Sequence, residues 1–83
     1  MNLRVKYFAS VREAVGQGSE SLQTRSETLG ALRAELIARG EPYATALGRG
    51  KAVRMALDQV MSDEEALLRE GSEIAFFPPV TGG

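Results

Sequence analysis

Residues 28–40 read TLGALRAELIARG, and they predict the main helix of this chain. The apolar positions recur at the three- and four-residue spacing of one helical face. They are Leu29, Leu32, Leu36 and Ile37. Thr28 is suited to cap the first turn through its hydroxyl, and Gly40 is suited to end the helix as the C′ residue. A helix with a single apolar face must bury it against another layer, so the flanking segments are expected to form a sheet.

On both sides of this helix, apolar residues alternate with polar ones, which is the period of a half-buried strand. The predicted strands span residues 3–8, 19–24, 53–57, 60–61 and 72–77. The second is the more polar and should pair with the first at an edge of the sheet. This order of elements predicts an α+β roll, in which one main helix packs on one face of a mixed sheet.

Short helical segments are expected in the connections. One turn is predicted at residues 11–15 and another at residues 43–47. Ser62 and Glu65 have the spacing of a capping box, which predicts a brief helix through Leu68.

The chain finishes with FFPPVTGG at residues 76–83. The two prolines fix φ and lack the N–H that a sheet ladder needs, so they should end the last strand and direct the remaining residues away from it. The two closing glycines leave the terminal carbon without neighbouring side chains. Fully extended, residues 78–83 reach at most ~20 Å, enough to enter the active site of a neighbouring protein.

We therefore interpret residues 1–77 as a folded domain and residues 78–83 as an extended functional tail. The reactive group would be the main-chain carboxylate of Gly83. The alternative is an inert, frayed end, since glycine is common there. The run of two phenylalanines and two prolines before the tail favours the functional interpretation.

Two phenylalanines fall out of phase with the apolar positions of their strands. Phe8 is in phase with Lys6, and Phe77 is in phase with Glu73. If the first and last strands are neighbours, both rings form an exposed apolar patch beside the start of the tail, and such patches mark partner surfaces. The alternative is that Phe8 ends its strand and folds under the turn at residues 11–15.

The composition argues against several classes of function. Histidine and cysteine are absent, which removes the usual general base, the commonest zinc ligands and disulfides, so no metal site is expected. A formal charge of −1 without a cationic stripe argues against nucleic-acid binding. The first residues lack the pattern of a signal peptide, and no stretch reaches bilayer length. We expect a cytoplasmic protein that binds neither nucleic acid nor membrane.

The chain resembles, over its whole length, the small subunits of molybdopterin synthase, a family of β-grasp (ubiquitin-like) sulfur carriers. The residues that carry the resemblance are VKYFA at 5–9 with VRE at 11–13, TL at 28–29 with LR at 32–33, and above all EIAFFPPVTGG at 73–83. The resemblance implies the β-grasp version of the α+β roll.

The resemblance also implies that Gly83 is the catalytic residue. An E1-like adenylyltransferase that uses ATP joins the terminal carboxylate to AMP, and a sulfur-donating protein then converts it into a thiocarboxylate. The chain itself binds no cofactor. Pro79, Val80, Thr81 and Gly82 would insert into the large subunit, where Gly83 donates its sulfur to cyclic pyranopterin monophosphate to build the dithiolene of molybdopterin.

The implied assembly is a heterotetramer of two small and two large subunits, because a dithiolene needs two sulfurs. Phe8, Met61 and Phe77 are expected to contact the large subunit, which would supply the catalytic side chains. The sulfurtransferase activity would therefore belong to the complex. Two alternatives stay open: a carrier of the thiamine-pathway type, and a ubiquitin-like modifier that joins Gly83 to lysines of other proteins.

Overall fold

The computed structural model describes residues 1–79 of the 83-residue chain. This part contains three helices and five strands. In chain order the elements are β1 Asn2–Tyr7, α1 Ala9–Val15, β2 Ser19–Gln23, α2 Leu29–Ala38, α3 Tyr43–Leu47, β3 Arg54–Leu57, β4 Val60–Ser62 and β5 Glu73–Phe77.

The strands form one mixed sheet in the spatial order β2-β1-β5-β3-β4. The central pair, β1 and β5, is parallel, and the remaining pairs are antiparallel. The polar strand β2 lies at an edge, as its sequence predicted. A mixed sheet with α2 on one face confirms the α+β roll and the β-grasp arrangement that the resemblance implied.

The core lies between the sheet and α2. Three leucines of the predicted helical face, Leu29, Leu32 and Leu36, are completely buried. They belong to one apolar cluster with inward-facing strand residues such as Val5 and Phe76. Because alternate strand residues point to opposite faces, one register buries a whole row of side chains. In the part of the chain that the structure describes, no helix is long and apolar enough to cross a bilayer.

Both ends of α2 are as predicted. The Thr28 hydroxyl accepts a hydrogen bond from the N–H of Ala31 at 3.1 Å, so it satisfies one donor of the first turn. Gly40, at φ +88°, follows the last residues of the helix in the left-handed conformation.

The predicted helix through Leu68 is wrong. Ser62 belongs to β4 instead, and the residues that follow run alongside the start of α2. The N–H of Leu29 bonds to the carbonyl of Ala66 at 3.0 Å, and that of Gly30 bonds to the carbonyl of Glu64 at 2.9 Å. The first turn of a helix always has N–H groups without helical partners. Residues 64–68 satisfy two of them, and this use of their carbonyls competes with a local helix.

Glu20 on β2 ties that edge strand to the helical layer. Its carboxylate accepts hydrogen bonds from the hydroxyls of Tyr7 at 2.9 Å and Tyr43 at 2.7 Å, and it forms an ion pair with Arg39 at 3.0 Å. Burial alone would raise the pKa of Glu20, but the hydrogen bonds that Tyr43, Arg39 and Tyr7 donate outweigh it and lower that pKa. Conversely, burial and the neighbouring carboxylate raise the pKa of the Tyr7 hydroxyl.

Glu20→Gln should lower the free energy of unfolding at pH 7 by about 1–2 kcal/mol, since it removes the charge that several donors share. Because folding lowers the pKa of Glu20, its ionised form contributes stability above the ordinary value of 4.5, and this contribution is lost as the pH falls through the lower folded value. Urea unfolding measured from pH 7 to pH 3 should therefore show that the free energies of unfolding of wild type and variant become equal in acid. Glu13→Gln, at an exposed position of α1, is the control. A difference in unfolding free energy that stays constant down to pH 3 would contradict the stabilising role of the ionised Glu20.

Candidate functional site

The face of the sheet opposite α2, here called the outer face, carries a row of side chains set by strand register. Lys6 on β1 pairs with Ala75 on β5, Ala75 pairs with Ala56 on β3, and Ala56 pairs with Met61 on β4. Paired residues share a face of the sheet. The two alanines therefore lie in the middle of the row, where Ala56 is buried and Ala75 is partly buried, and Met61 lies at its end with 61% of its surface exposed.

A second row lies one step towards the end of β5. Phe77 pairs with Arg54 of β3, and its neighbour Phe76 is completely buried on the opposite face. Phe8 follows directly after β1, keeps an extended backbone, and donates its N–H to the carbonyl of Phe76 at 3.1 Å. Since Tyr7 points into the core, Phe8 continues the alternation towards the outer face.

The condition for an apolar patch is therefore met, because β1 and β5 are neighbours. Phe8 does end its strand, as the alternative required, but its side chain is 47% exposed and does not fold under α1. Phe77 is partly buried. Together with Met61, the two rings form the apolar part of the outer face, and the role of these three residues in partner binding stays a prediction.

The charged groups of the outer face are partly paired. Lys6 and Glu73 form an ion pair at 3.4 Å, while Arg54 beside Phe77 is exposed. An apolar centre with charges at its margin is the composition of a protein contact surface. Sequence analysis singled out the large side chains and missed the alanines between them. The signal was present at residues 54–57, where Arg54 and Ala56 alternate with Met55 and Leu57.

The start of the tail lies at the edge of this face. β5 ends at Phe77, as the two prolines predicted, and Pro78 and Pro79 are both partly buried. Pro78 lines a cavity of about 140 Å³ between α1, α3 and residues 51–53. Val80, Thr81, Gly82 and Gly83 lie outside the residues that the structure describes, so their predicted roles are carried forward as proposals.

The comparison with known proteins fits this geometry. Residues 5–83 match the ThiS family. The chain belongs to that family. The molybdopterin synthase sulfur carrier subunit of Haemophilus influenzae is 41% identical over 81 residues, which are 98% of this chain and 99% of the relative. The resemblance drawn from the residues is thereby confirmed.

Solved structures agree on the architecture. A chain from the protein–protein complex of subunits 1 and 2 of the molybdopterin-converting factor of Helicobacter pylori is 25% identical, with a TM-score of 0.70 and full coverage of both chains. Small archaeal modifier protein 1 of Haloferax volcanii is 19% identical, with a TM-score of 0.75 over 95% of this chain and 98% of the other. At that identity the second likeness shows the ubiquitin-like fold alone.

Neighbouring phenylalanines on opposite faces should differ sharply in their contribution to folding. Phe76→Ala removes a completely buried ring and should lower the free energy of unfolding by about 3–5 kcal/mol, whereas Phe77→Ala should lower it by less than about 1.5 kcal/mol. Chemical denaturation of both variants measures this. Equal losses would mean that Phe77 belongs to the core and is not available to a partner.

Proposed function

We propose that this chain is the sulfur-carrying small subunit of molybdopterin synthase, a cytoplasmic enzyme complex, and that its reactive group is the carboxylate of Gly83. The observation that carries the proposal is the position of the tail: it starts at Pro78, directly after Phe77, at the margin of an exposed apolar face. Kinship with a protein named as a molybdopterin synthase sulfur carrier subunit supports the same conclusion.

The tail needs activation before it can carry sulfur. A carboxylate is ionised at neutral pH, and its negative charge repels nucleophiles. In the proposed sequence, a carboxylate oxygen of Gly83 attacks the α-phosphate of ATP on an E1-like adenylyltransferase, and pyrophosphate departs. A sulfur nucleophile at the hydrosulfide oxidation level, supplied by a donor protein, then attacks the acyl carbon, the carbon–oxygen bond to AMP breaks, and a thiocarboxylate remains.

The thiocarboxylate sulfur of Gly83 then bonds to a carbon of cyclic pyranopterin monophosphate and displaces an oxygen substituent from that carbon, which leaves the substrate joined to Gly83 as a thioester. Pro79, Val80, Thr81 and Gly82 form the narrow segment that enters the large subunit, and Gly83 reaches the substrate there. Water finally releases the acyl carbon as a carboxylate, so the carrier returns to its starting form. Each carrier in the thiocarboxylate form delivers one sulfur, so the two sulfurs of the dithiolene require two carriers. This requirement is in keeping with a complex of two small and two large subunits.

The folded part of the chain supplies binding and orientation in this scheme. Phe8, Met61 and Phe77 contact the large subunit, which contributes the catalytic side chains and the groups that stabilise developing charge. A partner of this kind is supported by the Helicobacter pylori structure, which is named as a complex of subunits 1 and 2 of molybdopterin-converting factor.

Reconstitution tests the proposal directly. The chain is prepared with a synthetic thiocarboxylate at Gly83 and mixed with a candidate large subunit and the pyranopterin precursor. Formation of molybdopterin, with the carrier returned as carboxylate by intact mass, is the expected result. Absence of product with an active large subunit would exclude the proposal. Intact mass from cells tests the alternatives, because a ladder of conjugates would indicate a modifier.

Tail length should be critical to transfer and irrelevant to folding. Appending one glycine after Gly83, or deleting Gly83, shifts the reactive carbon by at most ~3.6 Å, which moves it out of reach of a fixed substrate. Single-turnover assays with thiocarboxylate proteins should show loss of molybdopterin formation, while thermal unfolding is unchanged. Retained transfer by either variant would contradict the mechanism.

Binding to the large subunit should depend on the outer face. Phe77→Ala and Met61→Ala should each weaken the affinity by more than about 1 kcal/mol, as truncation of an anchor residue does. Val60→Ala is a matched control, because Val60 precedes Met61 on β4, is 65% exposed and lies on the opposite face. Titration calorimetry should find its affinity unchanged. If the control weakens binding as much as Met61→Ala does, the outer face is not the contact surface.

A further inference from the structure

Arg33 is a buried charged residue to which the proposed chemistry assigns no role. It lies on the core-facing side of α2, one turn after Leu29, and only 5% of its surface is exposed. An apolar side chain at this position would serve helix packing, and burying a charge is costly unless it is fully hydrogen-bonded. Its contacts therefore indicate what it is for.

The guanidinium of Arg33 binds main-chain carbonyls at the end of α3 and in the loop between α3 and β3. Its Nε donates to the carbonyl of Leu47 at 2.8 Å, and its Nη2 donates to those of Gly48 at 3.0 Å and Lys51 at 3.4 Å. The flat fork of an arginine can hold several oxygens at once, which a lysine cannot do. Glu64 is a weaker partner, at 3.4 Å from Nη1, and it also pairs with Arg49.

The loop that Arg33 holds forms one wall at the start of the tail. Lys51, Ala52 and Val53 line the cavity of about 140 Å³ together with Pro78, and α1 forms the facing wall. Within the loop, the N–H of Lys51 bonds to the carbonyl of Gly48 at 2.8 Å. Arg33 therefore hydrogen-bonds a loop that lines the same cavity as the first residue of the tail.

We propose that Arg33 is a positioning residue: it holds the α3–β3 loop as a seat for Pro78 and thereby sets the direction in which the tail leaves β5. The consequence for sulfur transfer rests on the proposed function. Arg33 lines a surface cavity together with Arg54 and Met61 of the outer face, but only 5% of its own surface is exposed to a partner. In this scheme it does not contact the reactive carbon, so it acts on the geometry of delivery and leaves affinity for the large subunit within twofold of wild type.

Nuclear Overhauser effects measured on the chain alone test whether the α3–β3 loop positions Pro78. Arg33→Met removes the three carbonyl contacts. Gly48→Ala perturbs the same loop with Arg33 intact, because the added methyl carbon would lie 2.7 Å from the carbonyl oxygen of Ala44. Leu22→Ala, at a buried position of β2, is a control for reduced stability. Effects between the ring protons of Pro78 and the methyl groups of Val11 and Val53 should persist in the control and fall at least threefold in both loop variants.

Unchanged effects in the folded loop variants would overturn the proposal. Should Arg33→Met fail to fold, Gly48→Ala and Arg33→Lys give the answer, because a single ammonium cannot replace the three-carbonyl contact of the guanidinium.

Single-turnover sulfur transfer gives the functional readout. At saturating large subunit, thiocarboxylate forms of the loop variants should transfer at least fivefold more slowly, with dissociation constants within twofold of wild type. An equal slowing in Leu22→Ala would mean that lost stability is the cause and would overturn the role of the loop in delivery. If wild type transfers no sulfur, the proposed function fails, while the Pro78 measurements still decide the position of the tail.

Discussion

The parallel pairing of β1 with β5 is the constraint on which the rest of the structure depends. It joins the first strand of the chain to the last, from Arg4 opposite Glu73 to Tyr7 opposite Phe76, in the middle of the sheet. Strands at the centre of a sheet are bonded on both sides, so the tail starts from the best-supported strand and not from an edge. Parallel strands also end on the same side. Phe8 and Phe77 therefore come together beside the tail.

The register between β1 and β5 determines both which side chains are buried in the core and which lie on the outer face. On the inner face, the rings of Tyr7 and Phe76 stack with their centroids 6.1 Å apart, beneath the helical layer. On the outer face, the next residues of the same strands present Phe8 and Phe77. A slip of one residue between these strands would exchange the two sets of side chains, exposing the core and burying the patch. The core thus specifies the surface that a partner would meet.

Sequence patterns predicted the elements whose signals are local. The spacing of Leu29, Leu32 and Leu36, with a cap at Thr28, was enough to predict α2. Alternation of apolar residues, followed by two prolines, was enough to predict β5. The capping box of Ser62 and Glu65 was misleading because the carbonyls of the adjacent Glu64 and Ala66 accept hydrogen bonds from N–H groups distant in sequence, at the start of α2. A local motif cannot reveal that competition, which tertiary contacts decide.

The outer face was predicted in part for the same reason. Alternation placed both phenylalanines, and the resemblance added Met61. The register that links them through Ala56 and Ala75 depends on non-local strand pairing, which no single segment encodes. The unusual position of Arg33 could be predicted from the sequence, since an arginine four residues after Leu29 falls on the apolar face of the helix. Its hydrogen-bond partners, the carbonyls at the end of α3 and in the α3–β3 loop, could not be predicted, because a main-chain acceptor does not depend on residue type.

Helix α2 organises the proposed site without belonging to it. At its first turn, the N–H groups of Leu29 and Gly30 hold residues 64–68, in the segment that follows β4. A side-chain methyl at Gly30 would lie 2.9 Å from the Cβ of Glu64, so glycine is what permits this approach. One turn later, Arg33 holds the loop beside Pro78. The same helix therefore anchors segments next to both ends of the apolar face, and in the proposed mechanism it would give direction to a tail whose terminal carbon carries the reaction.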